Sequence, residues 1–281
     1  MEILEVENLT KRYPGFTLDK VSFSLEQGYI MGFIGRNGAG KTTTIKSLLN
    51  LVHFDSGQVS VLGKDYSTHE LFCKQQIGFM LGGIDYYPKQ RLGNIVNVAK
   101  RFYEKWDDDA FSGYLKRFDL DPNKRGDELS GGMKVKFSLA LALSHHAKLL
   151  ILDEPTSGLD PVSRDDLVEL FQELIEDGER SILFSTHITS DLDKCADYIT
   201  YIKDGKIIMS MDKDTMVDNY KLVRGASQSL NDPYFKSKLI GCKENAFGFI
   251  ALMKKEDLTD FPRIESAPAD LESIMIHMEK E

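Results

Sequence analysis

Residues 29–34 form a strand-like apolar run, and residues 42–51 contain no glycine or proline and carry Ile45, Leu48 and Leu49 at helical spacing. Between them lies Gly35-Arg36-Asn37-Gly38-Ala39-Gly40-Lys41-Thr42, and few features of the chain restrict its fold as tightly. The string fits the phosphate-loop pattern and sits in the strand-to-helix setting which that pattern requires. Its glycines let the backbone curl so that successive N–H groups face one phosphate, and the helix amino terminus adds the positive end of its dipole. In that frame Lys41 reaches the β and γ phosphates of a nucleotide. Thr42 sets its hydroxyl on Mg²⁺, and Thr43 supplies a further hydroxyl beside the phosphates.

A phosphate loop needs a second carboxylate on the metal side and a group to handle water if the nucleotide is to be hydrolysed. The apolar run 149–152 ends in Asp153-Glu154. Asp153 is placed to hold Mg²⁺ through its water shell, and Glu154 to accept a proton from the attacking water. Downstream, short buried-type strands at 149–152, 181–184 and 198–202 alternate with helical stretches at 162–175 and 188–195, which reads as a mainly parallel sheet covered by helices. Asp160-Pro161 is helix-start chemistry, with Asp as N-cap and Pro at the first helical position. Nearer the start, runs 3–6 and 21–25 flank the turn Tyr13-Pro14-Gly15 and read as an antiparallel ribbon. Residues 94–118 read as two helical segments broken at Trp106-Asp107-Asp108-Asp109. Beyond about Met211 only a strand-like run at 246–252 and a closing helix at 271–278 stand out.

Composition narrows the class. With 281 residues, 42% of them apolar, the chain buries a sizeable core. The 35 basic and 44 acidic residues leave a charge of −9, so no global positive field exists to hold a nucleic-acid backbone, and no nucleic-acid partner is expected. Cys73, Cys195 and Cys242 are odd in number and scattered, without disulfide or zinc spacing, which fits a reducing compartment. The start, Met1-Glu2-Ile3-Leu4-Glu5, does not read as a signal segment, and no apolar stretch is long enough to span a bilayer. Action at a membrane is therefore expected to go through a partner.

Leu129-Ser130-Gly131-Gly132-Met133, followed by a helix rich in small apolar residues, resembles the Leu-Ser-Gly-Gly-Gln signature of the nucleotide-binding subunits of ATP-binding-cassette (ABC) transporters, with Met133 in place of Gln. Other matches come in the family's order. Tyr13 resembles the aromatic that stacks on adenine, Ser157-Gly158-Leu159-Asp160 the loop that touches the opposing subunit, and His187 the switch histidine that contacts the γ-phosphate. His145 and His146 read as helix-end residues near a favourable dipole. One position departs: the family places a glutamine where this chain has Gly82, and neither Asp85 nor Gln90 is in register to replace it. That glutamine links Mg²⁺ and the water to contacts with the membrane subunit. Within the family, Ile-Leu-Asp-Glu-Pro-Thr-Ser-Gly-Leu-Asp, Phe-Ser-Thr-His-Ile, Ala-Leu-Ser-His and the closing Asp270-Leu271-Glu272-Ser273-Ile274-Met275 are similar to bacterial exporter-type cassettes of the acetoin-utilisation, bacitracin and lantibiotic kinds.

The resemblance implies an α/β fold: a P-loop NTPase core with a mainly parallel sheet, an antiparallel β subdomain and a helical signature subdomain at about 92–147. A cassette over 1–215 is then followed by a small C-terminal extension, 216–281, of unassigned role. It further implies an ATPase using ATP and Mg²⁺, and a second cassette associating head to tail so that each ATP lies between one phosphate loop and the other signature. A separate multi-span permease would dock near Tyr86, Tyr87 and residues 94–118, with the chain cytoplasmic and peripheral at the inner face of the cell membrane. The rival is a soluble ABC-type ATPase scaffold acting in cofactor assembly or another non-transport process. Repair-type relatives carry long coiled coils between these motifs, and this chain has no sustained heptads there.

Overall fold

The computed structural model describes residues 1–81 and 87–280, so Gly82, Asp85 and Tyr86 lie outside the described residues. The chain divides into two compact units, Met1–His187 with Thr200–Ser210, and Ile188–Ile199 with Met211–Glu281. Among the described residues no helix is long and apolar enough to cross a membrane.

In the first unit the chain opens with β1 (Glu2–Tyr13) and β2 (Phe16–Glu26), paired antiparallel across the expected turn. β3 (Ile30–Ile34) leads into α1 (Lys41–Leu48). Then come β4 (Ser56–Val61), β5 (Lys64–Asp65), α2 (Glu70–Gln76) and β6 (Ile77–Met80). A helical block holds α3 (Leu92–Ala99), α4 (Asp108–Arg117) and α5 (Gly131–Leu143). After it, β7 (Leu149–Asp153), α6 (Pro161–Ile175), β8 (Ser181–Thr186), β9 (Tyr198–Lys203) and β10 (Lys206–Asp212) follow, while α7 (Thr189–Cys195), between β8 and β9 in the chain, belongs to the second unit.

Two sheets result. β2-β1-β4-β5 is antiparallel, whereas β10-β9-β3-β8-β7-β6 has a parallel centre in which β3, β8, β7 and β6 pair in turn. β3, β7 and β8 are buried at every residue, because helices cover a parallel sheet on both faces and leave no polar alternation. The same rule puts the carboxyl ends of β3, β7 and β8 side by side, where an α/β sheet holds its ligand. α1 stops at Leu48 rather than at residue 51, because Asn50 turns left-handed and the N–H groups of Leu51 and Val52 fold back onto the Lys46 carbonyl. The break at 106–109 resolves into a cap: Asp107 accepts from the Ala110 N–H at 2.8 Å and opens α4.

The second unit contains α7 and then α8 (Lys213–Asp218), β11 (Tyr220–Gly225), α9 (Pro233–Ser237), β12 (Ile240–Asn245), β13 (Gly248–Lys254), β14 (Glu265–Pro268) and α10 (Leu271–Met278). Its antiparallel sheet runs β12-β13-β11-β14, where the sequence showed one strand-like run and a helix. Val223, Phe235, Phe249, Ala251 and Met253 make a core of its own. Residues 188–199 belong with this unit, since α10 packs on α7, β12 and β13.

His145 lies just beyond the end of α5, as expected, but is more than a helix-end residue. It is buried, with Nε2 3.2 Å from the Ile77 carbonyl, Nδ1 3.2 Å from the Leu141 carbonyl, and Tyr103 stacked on the ring at 3.7 Å. His146 does sit at the helix end, half exposed, 3.3 Å from Asp107 Oδ2. Burial pushes the His145 imidazole below its ordinary value, against the pull of the two carbonyls. A histidine whose folded-state value lies below its unfolded value of about 6.5 contributes stability that is present above that value and lost as pH falls beneath it. Urea midpoints should therefore drop between about pH 7.5 and 5.5, and His145→Gln should flatten the drop. His277, lowered by burial in the second unit, leaves a residual slope. An unchanged slope in the variant removes His145 as the source.

Candidate active site

The phosphate loop is shaped by close backbone packing. A Cβ at Gly35 would meet the Ile202 carbonyl at 2.4 Å, and one at Gly40, where φ is +117°, would meet Leu18 Cδ2 at 2.7 Å. The Gly205 N–H donates to the Ala39 carbonyl at 2.9 Å, which ties the loop to the β9–β10 turn. No side chain caps the first N–H groups of α1, so they are free to meet an anion, as the sequence pattern requires. Lys41, only 5% exposed, donates to the carbonyls of Gly35 at 2.7 Å and Arg36 at 3.3 Å, and its Nζ lies 3.4 Å from Glu154 Oε1.

Asp153 and Glu154 arrive at this point from the end of β7. Thr42 Oγ1 donates to Asp153 Oδ2 at 2.9 Å, and Ser185 Oγ donates to Asp153 Oδ1 at 2.5 Å. Glu154 Oε2 lies 2.9 Å from His187 Nδ1. Thus Lys41, Thr42, Asp153, Glu154 and His187, named from widely separated motifs, form one connected group. Lys41, Thr42 and Glu154 of this group wall a cavity of about 240 Å³ together with Phe16, Arg36, Asn37, Gly38, Gly40 and Thr43. The hydroxyl of Thr42 beside the carboxylate of Asp153 is an all-oxygen pair, suited to a hard divalent cation shared with bound phosphates. Glu154 stands between a cation and an imidazole, where a carboxylate can take a proton from water.

The other sequence candidates occupy separate positions. Ser130 opens α5 and accepts from the Met133 N–H at 3.3 Å. Positions 131 and 132 pack near Leu159, whose Cδ2 lies 3.7 Å from where a Cβ on either glycine would stand. Asp160 caps α6, accepting from Val162 and Ser163 N–H at 3.1 and 3.0 Å. The Ser163 hydroxyl and these N–H groups hold its carboxyl below the usual range. Among the described residues, the cavity walls include neither 130–133 nor 157–160. Tyr13 is 41% exposed at the ribbon turn, with Lys11 Nζ 5.5 Å from its ring centre. Two contributors escaped sequence reading. Phe16 follows the Tyr13 turn and walls the cavity, and Ser185 stands two residues before His187 in a strand that runs on past its expected end at residue 184.

The profile of the ABC transporter family matches residues 18–157. The ABC transporter ATP-binding protein YtrB of Bacillus subtilis is 31% identical over 219 residues, which cover 78% of this chain and 75% of that protein. The bacitracin transport ATP-binding protein BcrA of Bacillus licheniformis is 32% identical over 73% of this chain and 68% of its own length. Among solved structures, an ATP-binding subunit of an ABC transporter superposes with a TM-score of 0.69 at 26% identity, covering 76% of this chain and 91% of that one.

Lys41→Ala should abolish high-affinity MgATP binding, because it removes a charge-assisted contact from a site built around phosphates; nucleotide binding followed by fluorescence checks this. Tyr13→Ala should weaken ATP binding by about 0.5–1.5 kcal/mol, the scale of an aromatic contact. Unaltered affinity in that variant would place the adenine elsewhere.

Proposed function

This chain belongs to the ABC transporter family of ATP-binding, ATP-hydrolysing proteins, and from that premise we propose that it is the ATPase subunit of an exporter, powering a separate membrane permease. The observation that carries the reading is the connected group in which Lys41, Thr42 and Glu154 wall the loop cavity and are bonded to Asp153 and His187. The N–H groups of residues 35–43 and Lys41 bind the phosphates. Thr42 and Asp153 would hold Mg²⁺, which when bound would supply positive charge to neutralise the phosphates. Glu154 takes the proton of the water that attacks the γ-phosphorus, the bond to the β-γ bridging oxygen breaks, and His187 contacts the leaving γ-phosphate.

A second cassette completes the site. Ser130, Gly131, Gly132 and Met133 open a helix whose positive end faces the other subunit's γ-phosphate, with Ser157, Gly158, Leu159 and Asp160 at the same interface. ATP then holds the pair together, and hydrolysis removes the contact that favoured closure. The cassette occupies 1–215, and 216–281 is an appended region. An apolar cleft of about 300 Å³, lined by Leu49, Leu51, Tyr66, Leu71, Phe79 and Phe102, adjoins the helical block and supports permease docking there and near Tyr87. Leu51, Leu71, Phe102 and Tyr87 are each more than half exposed. Exporter-type cargo is supported by likeness to a bacitracin transport protein and a linearmycin resistance protein. The cytoplasmic face of the membrane is the corresponding location.

Glu154→Gln should leave ATP binding intact and cut turnover by about 10²–10⁴-fold, the range for losing a general base. With saturating MgATP it should elute as a dimer on size exclusion. Retained turnover removes Glu154 from the role. Recovery of a multi-span permease with the chain from detergent extracts supports transport, whereas a soluble partner alone supports the scaffold reading.

A further inference from the structure

We infer that Ser185 is a positioning residue of the ATP site, fixing the Asp153 carboxylate and the Glu154 backbone with one hydroxyl. The inference rests on the reading of Asp153 and Glu154 given above. Ser185 is fully buried in β8, which lies between β3 and β7, and in register it pairs with Asp153 on one side and Phe33 on the other. Its Oγ donates to Asp153 Oδ1 at 2.5 Å. The Glu154 N–H in turn donates to both the Ser185 carbonyl and Oγ, each at 3.1 Å.

The chemistry needs this residue type. Asp153 is 4% exposed, and a carboxylate that far from water requires donors on both oxygens. Thr42 serves Oδ2 and Ser185 serves Oδ1, so the carboxylate plane is fixed at both ends. A hydroxyl has one proton to give and lone pairs to receive, which lets Ser185 donate to Asp153 while accepting from Glu154. Glu154 adopts φ +51°, a left-handed conformation that costs energy for a residue with a Cβ. The shared N–H bond to Ser185 offsets that cost and sets where the Glu154 side chain leaves the strand. Two residues on, His187 meets that side chain from the same strand end. One hydroxyl thereby sets the spacing between the metal-side oxygen and the proton acceptor.

Ser185→Ala and Ser185→Cys, made in the full chain, test this. Alanine removes the hydroxyl, and cysteine keeps nearly the same shape with a weak donor. The first readout is the Mg²⁺ concentration giving half of the metal-dependent rise in unfolding temperature of ADP-saturated protein; the second is kcat and KM for ATP. Both variants should need about 10-fold more Mg²⁺ and lose about 10-fold in kcat, the scale for removing a partner of a metal-side ligand. KM for ATP should stay within about two-fold, since the loop still holds the phosphates. Wild-type Mg²⁺ response and kcat in Ser185→Ala overturn the inference. So does a wild-type-like Ser185→Cys beside an impaired Ser185→Ala, which would assign the effect to volume. Glu154→Gln assayed in parallel separates the two levels: if it retains turnover, the reading of the site falls and this inference with it. If it loses turnover while Ser185→Ala is unaltered, only the role of Ser185 falls.

Discussion

An ammonium held almost out of water must find oxygen, and that requirement on Lys41 organises the nucleotide site. Its partners are two carbonyls of its own loop and a carboxylate from the end of β7. The carbonyls of Gly35 and Arg36 can turn toward Lys41 only because the loop folds back on itself, and that fold presents the N–H groups on the opposite side. The carboxylate, Glu154, is drawn to the cation and carries His187 with it. A phosphate bound as proposed would meet a positive charge already aimed and partly neutralised, so binding would exchange one oxygen partner for another instead of creating order from a loose loop.

The motifs that carry this chemistry were legible because each has a fixed spacing and a fixed structural setting. The glycine string, Asp153-Glu154 after an apolar run, and His187 after another such run come from three strands whose carboxyl ends a parallel sheet places together. What escaped reading has no spacing to reveal it. Ser185 is one of two serines in β8, and its meaning lies in its register against Asp153 across 32 residues. His145 looked like a helix-end residue because its sequence neighbours place it there; its burial comes from Tyr103 and from β6. The tail hid its sheet for a related reason. β11, β12 and β14 are short and mix charged with apolar residues, and β14 is exposed throughout, so no run of alternation marks them.

The placement of the signature segment supports the proposal of a second cassette. Ser130 spends its oxygen on the Met133 N–H at the head of α5, and Leu159 of the loop before α6 fills the space beside Gly131 and Gly132. These residues pack with one another, away from the walls of the cavity that Lys41 borders. Small residues at 131 and 132 keep side chains off the helix end, which leaves its backbone open to an anion brought by something else. A self-contained site would place that helix end against its own phosphate loop. Separating the two makes sense when another cassette supplies the phosphate.

The same helix is anchored at its other end, and this bears on how nucleotide state reaches a distant partner. Gly78 in β6 faces α5 so closely that a Cβ there would stand 2.6 Å from Ala142 Cβ. His145, just beyond the helix, reaches the Ile77 carbonyl, and the Lys148 N–H donates to the Gln76 carbonyl at 2.9 Å. Helix α5 and the segment just beyond it thus meet β6 at Ile77 and Gly78, and meet Gln76 immediately before the strand. β6 ends at Met80, two positions before the glycine that stands where the family has its glutamine. A displacement of the signature end of α5 therefore acts on β6 through close-packed contacts and backbone hydrogen bonds, which have little compliance. This packed route between α5 and β6 uses no γ-phosphate-sensing side chain, so it is independent of which residue the sequence carries at position 82.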